Sequence, residues 1–214
     1  NIGARFDDRI TGKIDEFSPK SKKIHIDIDP SSINKNVKVD LPIVGDVQDV
    51  ISSTIKTIKK TKPNFAKSNK QKISKWWEKI QKWRAKRSLD YIGSEETIKP
   101  QYAIERLYEL TKNKDTYITT EVGQHQMWAA QHYKFNKPNR WMTSGGLGTM
   151  GYGLPAAVGV QVAHPNKLVI DIAGEASVLM TMQEMSTAVQ YGLPIKIFIL
   201  NNEYMGMVRQ WQEL

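Results

Sequence analysis

Two short apolar segments joined by a helical pattern constrain the fold of this chain more than any other feature. Residues 168–172 (Leu-Val-Ile-Asp-Ile) and 195–200 (Ile-Lys-Ile-Phe-Ile-Leu) are rich in β-branched residues, as strands covered on both faces are. Residues 178–190 have the length and periodicity of one helix. Its apolar face would comprise Leu179, Met182, Met185 and Val189. The pattern predicts a βαβ unit with two parallel, neighbouring strands.

Two oxygen-bearing side chains follow these predicted strands. Glu175 follows the first strand, and Asn202 follows the second, 27 positions later. Ligands bind beyond the carboxyl ends of parallel strands, and a carboxylate with an amide oxygen suits magnesium, which typically also holds a diphosphate. The alternative is that both residues lie in ordinary surface turns, which the spacing alone leaves open.

Elsewhere the chain alternates between strand and helix patterns. Residues 23–30 alternate and stop at a proline, as a strand does, and Asp46 is placed to cap a following helix. Pro100 suits the first turn of another helix. Residues 117–120 read as a short strand, and residues 123–131 as a helix. The apolar face of the helix that begins at Pro100 would comprise Ala103, Ile104, Leu107 and Leu110.

Several motifs, in a consistent order along the chain, resemble one enzyme family. The stretch from Gly174-Glu175-Ala176 to Asn201-Asn202 resembles the thiamine-diphosphate signature. Residues 3–12 (GARFDDRITG), 121–130 (EVGQHQMWAA), 144–157 (SGGLGTMGYGLPAA) and 206–211 (GMVRQW) are similar to acetolactate synthase catalytic subunits. The resemblance implies an α/β fold class of parallel-sheet domains with flanking helices.

The same resemblance implies three segments. Residues 1–60 would be the C-terminal part of an FAD-binding middle domain, and residues 61–97 a basic linker with an amphipathic helix. Residues 98–214 would be a thiamine-diphosphate and magnesium-binding domain truncated at its C-terminus. The chain begins at Asn1 without an initiator methionine and ends within a predicted helix, so we expect it to be an internal piece of a longer protein.

The net charge of +9 comes from one segment. Residues 56–87 hold 13 Lys and Arg residues and a single acid, a local charge of +12, so the remainder carries about −3. Within this segment Ile73, Trp76, Trp77, Ile80 and Trp83 follow helical spacing. A basic helix with tryptophans is compatible with a nucleic-acid module or a membrane-surface element. We favour an amphipathic linker helix whose lysine heads reach water, with no nucleic acid and no membrane as partners.

Composition adds two constraints. The absence of cysteine excludes disulfides and thiolate metal sites. No apolar run approaches the roughly 20 residues that span a bilayer. With the resemblance, these features lead us to expect a cytoplasmic, bacterial-type location.

The resemblance assigns three cofactors. FAD, regarded as structural in this family, would contact Gly3, Arg5, Asp27, Ile28, Asp46 and Val47, and Gly145 and Gly146 would border the flavin. Magnesium would be held by the side chains of Glu175 and Asn202 and the backbone carbonyl of Tyr204. Glu175 departs from the aspartate usual in the family. Thiamine diphosphate would contact Val122, Gly123, Gln124, His125, Met150, Gly174, Glu175, Ala176, Ser177, Asn202, Tyr204, Met205, Gly206, Met207 and Val208.

Four of the thiamine-diphosphate contacts, together with Trp211, are candidates to take part in the reaction itself: Gln124, His125, Met150, Met207 and Trp211. Met150 would support the aminopyrimidine ring. Met207 and Trp211 resemble positions that shape the second-substrate pocket, although they also read as core positions of one helix face. A lone histidine is more often an ordinary hydrogen-bonded residue, but the Val-Gly-Gln-His setting of His125 favours contact with the cofactor.

The glycine-rich stretch 145–153 permits a second interpretation. Five of its nine residues are glycine, and residues 146–151 fit G-x-G-x-x-G with Asp171 twenty residues further on. This pattern is typical of a nicotinamide-dinucleotide site. Two features weigh against it, because residues 141–144 make a poor strand and Asp171 lies mid-strand.

The implied reaction is decarboxylation of pyruvate and carboligation to a second pyruvate or to 2-ketobutyrate, the first common step of branched-chain amino-acid biosynthesis. The full-length protein would form a homodimer or tetramer with a regulatory small subunit, and a glutamate from the partner's N-terminal domain would activate the cofactor, so this chain alone should be inactive. The alternatives are another thiamine-diphosphate enzyme, such as pyruvate oxidase or glyoxylate carboligase, and a non-enzymatic nucleic-acid module using residues 56–87.

Overall fold

A computed structural model describes residues 1–214, apart from the side chain of Arg9. The chain divides into two compact units, residues 1–87 and residues 88–214. Each unit contains its own parallel sheet. The predicted α/β class with parallel sheets is therefore confirmed.

The first unit is built around two strands. Its elements are α1 (Asp8–Thr11), β1 (Ile24–Asp27), β2 (Leu41–Val44), α2 (Val47–Thr61), α3 (Phe65–Ser68) and α4 (Lys70–Arg84), with 3-10 turns at Ile14–Glu16 and Pro30–Ser32. β1 and β2 are parallel, with Asp27 opposite Val44. An isolated parallel bridge pairs Ile2 with Ile26, so the first residues run beside β1.

The α2 helix begins where the sequence predicts, because the Asp46 carboxylate accepts hydrogen bonds from the backbone N–H groups of Gln48 (2.8 Å) and Asp49 (3.2 Å). The predicted basic helix is α4. In it, the ammonium of Lys79 lies 5.6 Å from the ring centre of Trp76 and 5.1 Å from that of Trp83. Residues 62–69 contain a proline and have no helical period, and are predicted to be loop; the structure corrects this, since α3 lies within them.

The second unit is a four-stranded sheet with helices on both faces. Its elements are α5 (Pro100–Thr111), β3 (Thr116–Thr120), α6 (Gln124–His132), β4 (Trp141–Thr143), α7 (Gly153–Ala163), β5 (Leu168–Ala173), α8 (Glu175–Leu179), α9 (Glu184–Gln190), β6 (Lys196–Ile199) and α10 (Gly206–Glu213). The strand order is β4-β3-β5-β6, and every neighbouring pair is parallel. All the strands therefore end at one edge of the sheet.

Alternate residues of the central strands pack on opposite faces. Ile118, Ile170 and Ile172 join a cluster with Ile104 of α5 and Ala129 of α6. On the other face α7 supplies the partners: Ala157 packs with Tyr117 and Val169, and Leu154 packs with Ala173 and Val178. Because both faces are covered, all five residues of β3 are buried, its three threonines included, and so are the last five of β5.

The helix predicted over residues 178–190 is divided in the structure. The segment between α8 and α9 is held by i→i+3 bonds, from Met180 N–H to the Ser177 carbonyl (3.2 Å) and from Glu184 N–H to the Thr181 carbonyl (3.0 Å). Its predicted apolar face is exposed, whereas Val178 and Ala188 are buried. The apolar residues do recur at helical spacing, but the turn between α8 and α9 interrupts the helix, so these residues do not form one buried face.

Two further expectations are corrected. Residues 141–143 form β4, the edge strand beside β3, although they read as a poor strand. On α5, Ile104 is fully buried but Leu110 is 69% exposed, and Thr111 is buried in its place. Thr111 shares a hydrogen bond with the hydroxyl of Tyr133 (2.8 Å), which satisfies its polar group in the core. Among the described residues, no helix has the length and apolar character needed to cross a membrane.

The two α5 positions give a matched test of the packing. Replacing Ile104 by alanine should lower the free energy of unfolding by about 2–5 kcal/mol, because it leaves a cavity between α5, α6 and the sheet. Leu110→Ala should change it by no more than about 0.5 kcal/mol. Urea unfolding followed by circular dichroism measures both, and equal losses would contradict this arrangement of α5.

Candidate functional site

The carboxyl ends of β5 and β6 meet at one edge of the second sheet. Ala173 is opposite Ile199, and the next backbone bond runs from Leu200 N–H to the Ala173 carbonyl (2.8 Å). Glu175 begins α8 two residues after Ala173, and Asn202 lies three residues after Ile199. Both therefore lie on the same rim of the sheet, as the sequence predicts.

A cleft of about 420 Å³ opens at this rim. Fifteen of its lining residues are those to which the resemblance assigns thiamine diphosphate. Trp128 and Leu200 also line it and were not predicted. Its walls are Val122, Gly123, Gln124, His125, Trp128, Met150, Gly174, Glu175, Ala176, Ser177, Leu200, Asn202, Tyr204, Met205, Gly206, Met207 and Val208. Four separate parts of the chain thus meet around one concave space.

Gly206 lets two of these parts approach closely. A β-carbon at Gly206 would clash with the side-chain carbonyl of Gln124 and would lie 3.3 Å from Nδ2 of Asn202. Gln124 begins α6, and Asn202 belongs to the loop after β6. The absence of a side chain at Gly206 therefore leaves room for the side-chain amides of both Gln124 and Asn202 beside the start of α10.

His125 is buried between two glycine backbones. A β-carbon on Gly174 would lie 2.8 Å from Nδ1 of His125, and one on Gly123 would lie 2.6 Å from Cε1. Burial lowers the pKa of His125 to about 4, so the imidazole is uncharged at neutral pH. Among the described residues, its Nε2 atom has no hydrogen-bond partner. A buried polar atom of this kind on a cleft wall fits a site for a polar ligand.

The predicted metal ligands lie in a short loop and at the start of α8. The amide oxygen of Asn202 accepts a hydrogen bond from Tyr204 N–H (3.3 Å), and the Tyr204 ring lies 4.2 Å below the guanidinium of Arg209. The Tyr204 phenol is thus engaged with Arg209, which leaves its backbone as the part relevant to a metal. Within the described side chains, no cluster of three His, Cys, Asp or Glu could hold a metal. One carboxylate, one amide oxygen and one carbonyl suit magnesium if a diphosphate completes the coordination.

Ser177 has a structural task in this turn. Its hydroxyl donates to the Gly174 carbonyl (3.0 Å) and accepts from Gly174 N–H (3.3 Å). It is almost fully buried. These bonds hold the turn between β5 and α8, so Ser177 shapes the wall on which its predicted ligand contact depends.

Three of the site residues predicted in the second unit do not line the cleft. Gly145 and Gly146 lie in the exposed loop after β4. Trp211 lies one turn beyond Met207 on α10 and is 59% exposed. Only Met207, of the two residues predicted to shape the second-substrate pocket, lines the cleft in this structure.

The residues predicted to bind FAD in the first unit gather at the carboxyl edge of β1 and β2. A β-carbon on Gly3 would lie 3.5 Å from Cγ2 of Val47, and Gly45 N–H donates to the Asp27 carbonyl (2.9 Å). Ile28 is exposed there, and Asp46 caps α2. The Asp27 carboxylate accepts from Asp29 N–H (2.9 Å), while Arg5 extends into solvent and lies 3.8 Å from Asp7.

The dinucleotide interpretation of the glycine-rich stretch fails at Asp171. A strand does precede the stretch, so that objection was wrong. The Asp171 side chain, however, is fully buried within β5 and accepts a hydrogen bond from the hydroxyl of Thr119 (2.9 Å). It lies below the edge of the sheet, where a ribose could not reach it.

Asp171 instead forms a buried pair with Glu121, which the sequence reasoning missed. The Glu121 carboxylate accepts from Gly151 N–H (2.6 Å) and from Leu154 N–H (2.9 Å). Burial, and then the charge of Glu121, raise the pKa of Asp171 to about 7, while the bond from Thr119 opposes the shift. The sequence signal was present, since an aspartate in a run as apolar as residues 168–173 must be neutral or paired.

Comparison with known proteins gives a consistent result. Residues 121–214 match the family model described as thiamine pyrophosphate enzyme, C-terminal TPP binding domain, and residues 1–54 match that described as thiamine pyrophosphate enzyme, central domain. The chain is 48% identical over 213 residues to the acetolactate synthase isozyme 3 large subunit of Escherichia coli (strain K12), and 46% identical over 213 residues to the acetolactate synthase large subunit of Haemophilus influenzae. It is 50% identical over 212 residues to that of Porphyra purpurea. These alignments cover 99–100% of this chain but only 35–36% of each relative.

The raised pKa of Asp171 predicts a pH-dependent stability. Between about pH 4 and pH 7 the unfolded chain ionises this residue while the folded chain keeps it protonated, so stability falls as pH rises through that window, by up to about 1.4 kcal/mol per pH unit. Asp171→Asn should remove this fall, because asparagine imitates the protonated acid at every pH.

Chemical unfolding at pH 5 and pH 7 measures the effect. Glu203→Gln, in an exposed loop, serves as the control and should follow the parent protein at both pH values. If Asp171→Asn shows the same change between pH 5 and pH 7 as the parent, the proton is not held by Asp171.

Proposed function

Because the chain belongs to the thiamine pyrophosphate enzymes and is homologous over its whole length to acetolactate synthase large subunits, we propose that it forms the cofactor-binding part of a carboligase. The proposed reaction decarboxylates pyruvate and joins the remaining two-carbon unit to a second pyruvate or to 2-ketobutyrate. The products are 2-acetolactate and 2-aceto-2-hydroxybutyrate. The observation that carries the proposal is the meeting of Glu175 and Asn202 at one rim, in a cleft shared with Gln124 and His125.

In this proposal the loop after β6 and the start of α8 hold magnesium. The Glu175 carboxylate, the Asn202 amide oxygen and the Tyr204 backbone carbonyl are its protein ligands. Magnesium tolerates poor octahedral geometry badly, and glutamate reaches further than aspartate by about one C–C bond. The backbone at Gly174 therefore relaxes to admit the longer side chain. When bound, thiamine diphosphate supplies the electron sink for decarboxylation.

The charge of the cleft makes the metal essential for holding a diphosphate. No lysine or arginine is among the described residues that line the cleft. His125 is uncharged at neutral pH because of its burial. A diphosphate entering this space therefore meets the Glu175 carboxylate with no protein cation to balance it, and only a divalent ion can reverse the repulsion.

The remaining walls serve the organic part of the ligand. Trp128, Leu200, Met205 and Val208 are apolar and exclude water from the reacting carbon. Met150, which also lines the cleft, supports the aminopyrimidine ring. Met207 borders the space for the second keto acid, and Trp211, one turn further along α10, belongs to the same proposed border.

The first unit has a separate proposed role. Its edge at Gly3, Asp27, Ile28, Asp46 and Val47 takes part in binding FAD, with Arg5 as a further contact, and the flavin has a structural role. The segments are assigned as above: a middle domain over residues 1–60, a linker over residues 61–97 and the thiamine domain from residue 98. In the whole protein, a partner subunit supplies the activating glutamate, a regulatory small subunit associates, and the location is cytoplasmic.

Cofactor binding should depend strictly on a divalent ion. Thiamine diphosphate with magnesium should quench the fluorescence of Trp128, and it should fail to do so when EDTA is present. Glu175→Ala and Asn202→Ala should each weaken binding at least about tenfold, since each removes a metal ligand. Glu203→Ala, in the same loop but outside the cleft, is the matched control and should bind like the parent.

A separate variant tests the length of the acidic side chain at position 175. If Glu175→Asp leaves the affinities for magnesium and thiamine diphosphate unchanged, the extra methylene does not limit the geometry. If Glu175→Ala binds the cofactor with the affinity of the parent, the proposed metal site is contradicted.

The reaction itself is best tested in a chimaera. Replacing the matching region of the Escherichia coli isozyme 3 large subunit by this chain should preserve formation of acetolactate from pyruvate, because the aligned region covers the whole of this chain. The same chimaera with Glu175→Ala should be inactive, and with Glu203→Ala active. Tartronate semialdehyde from glyoxylate, or oxidative decarboxylation of pyruvate, would replace the proposal by glyoxylate carboligase or pyruvate oxidase chemistry.

A further inference from the structure

The carboxylate of Glu121 lies at the amino end of α7, away from water. One oxygen accepts from Gly151 N–H at 2.6 Å and the other from Leu154 N–H at 2.9 Å. Its side chain is fully buried. A carboxylate in this position satisfies N–H groups that a helix start leaves unbonded, and the helix dipole favours its negative charge.

Glu121 reaches this place because it continues β3. Its N–H donates to the carbonyl of Ile172 on β5 (3.1 Å), so its backbone extends the sheet ladder. Gly153 then passes directly over the pair. A β-carbon there would clash with Oδ1 of Asp171 and would lie 2.6 Å from the Glu121 nitrogen. The start of α7 is thus seated on the two carboxyl groups.

The bonded turn carries Met150, which lines the cleft. Gly151, the next residue, has φ +84°, a conformation that favours glycine. Its N–H is held by Glu121, and its carbonyl accepts from the hydroxyl of Thr181 (3.1 Å). The backbone beside Met150 is therefore fixed from both sides, although neither Glu121 nor Thr181 lines the cleft.

We propose that Glu121 is a positioning residue whose ionised carboxylate fixes the turn of Met150 against the cleft and thereby sets how tightly thiamine diphosphate is held. The proposal rests on the proposed function for the identity of the ligand. Below about pH 7, Asp171, which lies beside Glu121, stays protonated, so that the pair carries one negative charge and that charge lies on the carboxylate that holds the turn.

The hydrogen bonds decide which member of the pair is ionised. Glu121 accepts two backbone N–H groups, whereas Asp171 accepts one hydroxyl, and its Oδ2 has no partner among the described residues. Burial raises the pKa of both groups, and the bonds from Leu154 and Gly151 oppose this for Glu121. Hydrogen bonds therefore stabilise the ionised carboxylate better at Glu121 than at Asp171. Glu121, which continues β3, is the titratable group that acts on Asp171.

The decisive variant is Glu121→Gln, which keeps the shape but replaces one accepting oxygen by an NH₂ group that faces the N–H donors of the turn. Methyl-¹³C methionine labelling reports the position of Met150 directly, with its signal assigned by Met150→Leu. We expect Glu121→Gln to shift or broaden the Met150 signal while the Met205 and Met207 signals stay in place. Affinity for thiamine diphosphate with magnesium should fall about 10- to 100-fold.

Two further variants complete the test. Asp171→Asn imitates the protonated acid and should leave the Met150 signal and the affinity within about twofold of the parent. Thr181→Val removes the bond on the other side of Gly151 and should act like Glu121→Gln but more weakly, which keeps the proposal testable if Glu121→Gln does not fold.

The outcomes separate this proposal from the proposed function. If the parent binds thiamine diphosphate, and neither Glu121→Gln nor Thr181→Val changes the Met150 signal or the affinity, the positioning role is overturned. If the parent does not bind thiamine diphosphate, the proposed function fails, whereas the Met150 signal still shows whether Glu121 fixes the turn. Loss of binding in Asp171→Asn equal to that in Glu121→Gln would overturn the assignment of the proton.

Discussion

The parallel pairing of β5 with β6 is the constraint on which the candidate site depends. It fixes where each strand ends, and the bond from Leu200 N–H to the Ala173 carbonyl carries the register to the rim. A shift of one residue would turn the side chains of β5 to the opposite faces, exposing Asp171 to the α5–α6 core and removing Val169 from α7. The placement of Glu175 and Asn202 at one rim follows from this pairing, because parallel neighbours end on the same side.

The sequence predicted the β5–β6 pair and its shared rim for a physical reason. Strands buried on both faces need continuous apolar, β-branched runs, and residues 168–172 and 195–200 are such runs. Helix starts that rest on local bonds, such as the Asp46 cap of α2, were also predictable. The gathering of Val122 to His125 with the loop after β6 came from the family resemblance, since no local pattern shows that Gly206 must face Gln124 and Asn202.

The expectations that were wrong concern competition between local periodicity and contacts distant in sequence. Residues 178–190 have a helical period, but i→i+3 turn bonds divide them into α8 and α9. Leu110 fits the apolar face of α5, yet Thr111 takes the buried position by bonding to Tyr133, 22 residues away. The role of Glu121 depends on N–H groups 30 and 33 residues further on, which a motif of adjacent letters cannot reveal.

The distribution of charge connects the fold to the proposed chemistry. Composition gives a net charge of +9, but the excess belongs to residues 56–87 of the first unit, and no described lysine or arginine lines the cleft. Around the cleft the protein instead keeps groups neutral: burial lowers the pKa of His125 and raises that of Asp171. Glu175 is the acid left to face the cleft directly. Under the proposed function, an anionic ligand would enter a cleft with this charge balance only together with a divalent ion, so that metal and diphosphate would bind as one unit.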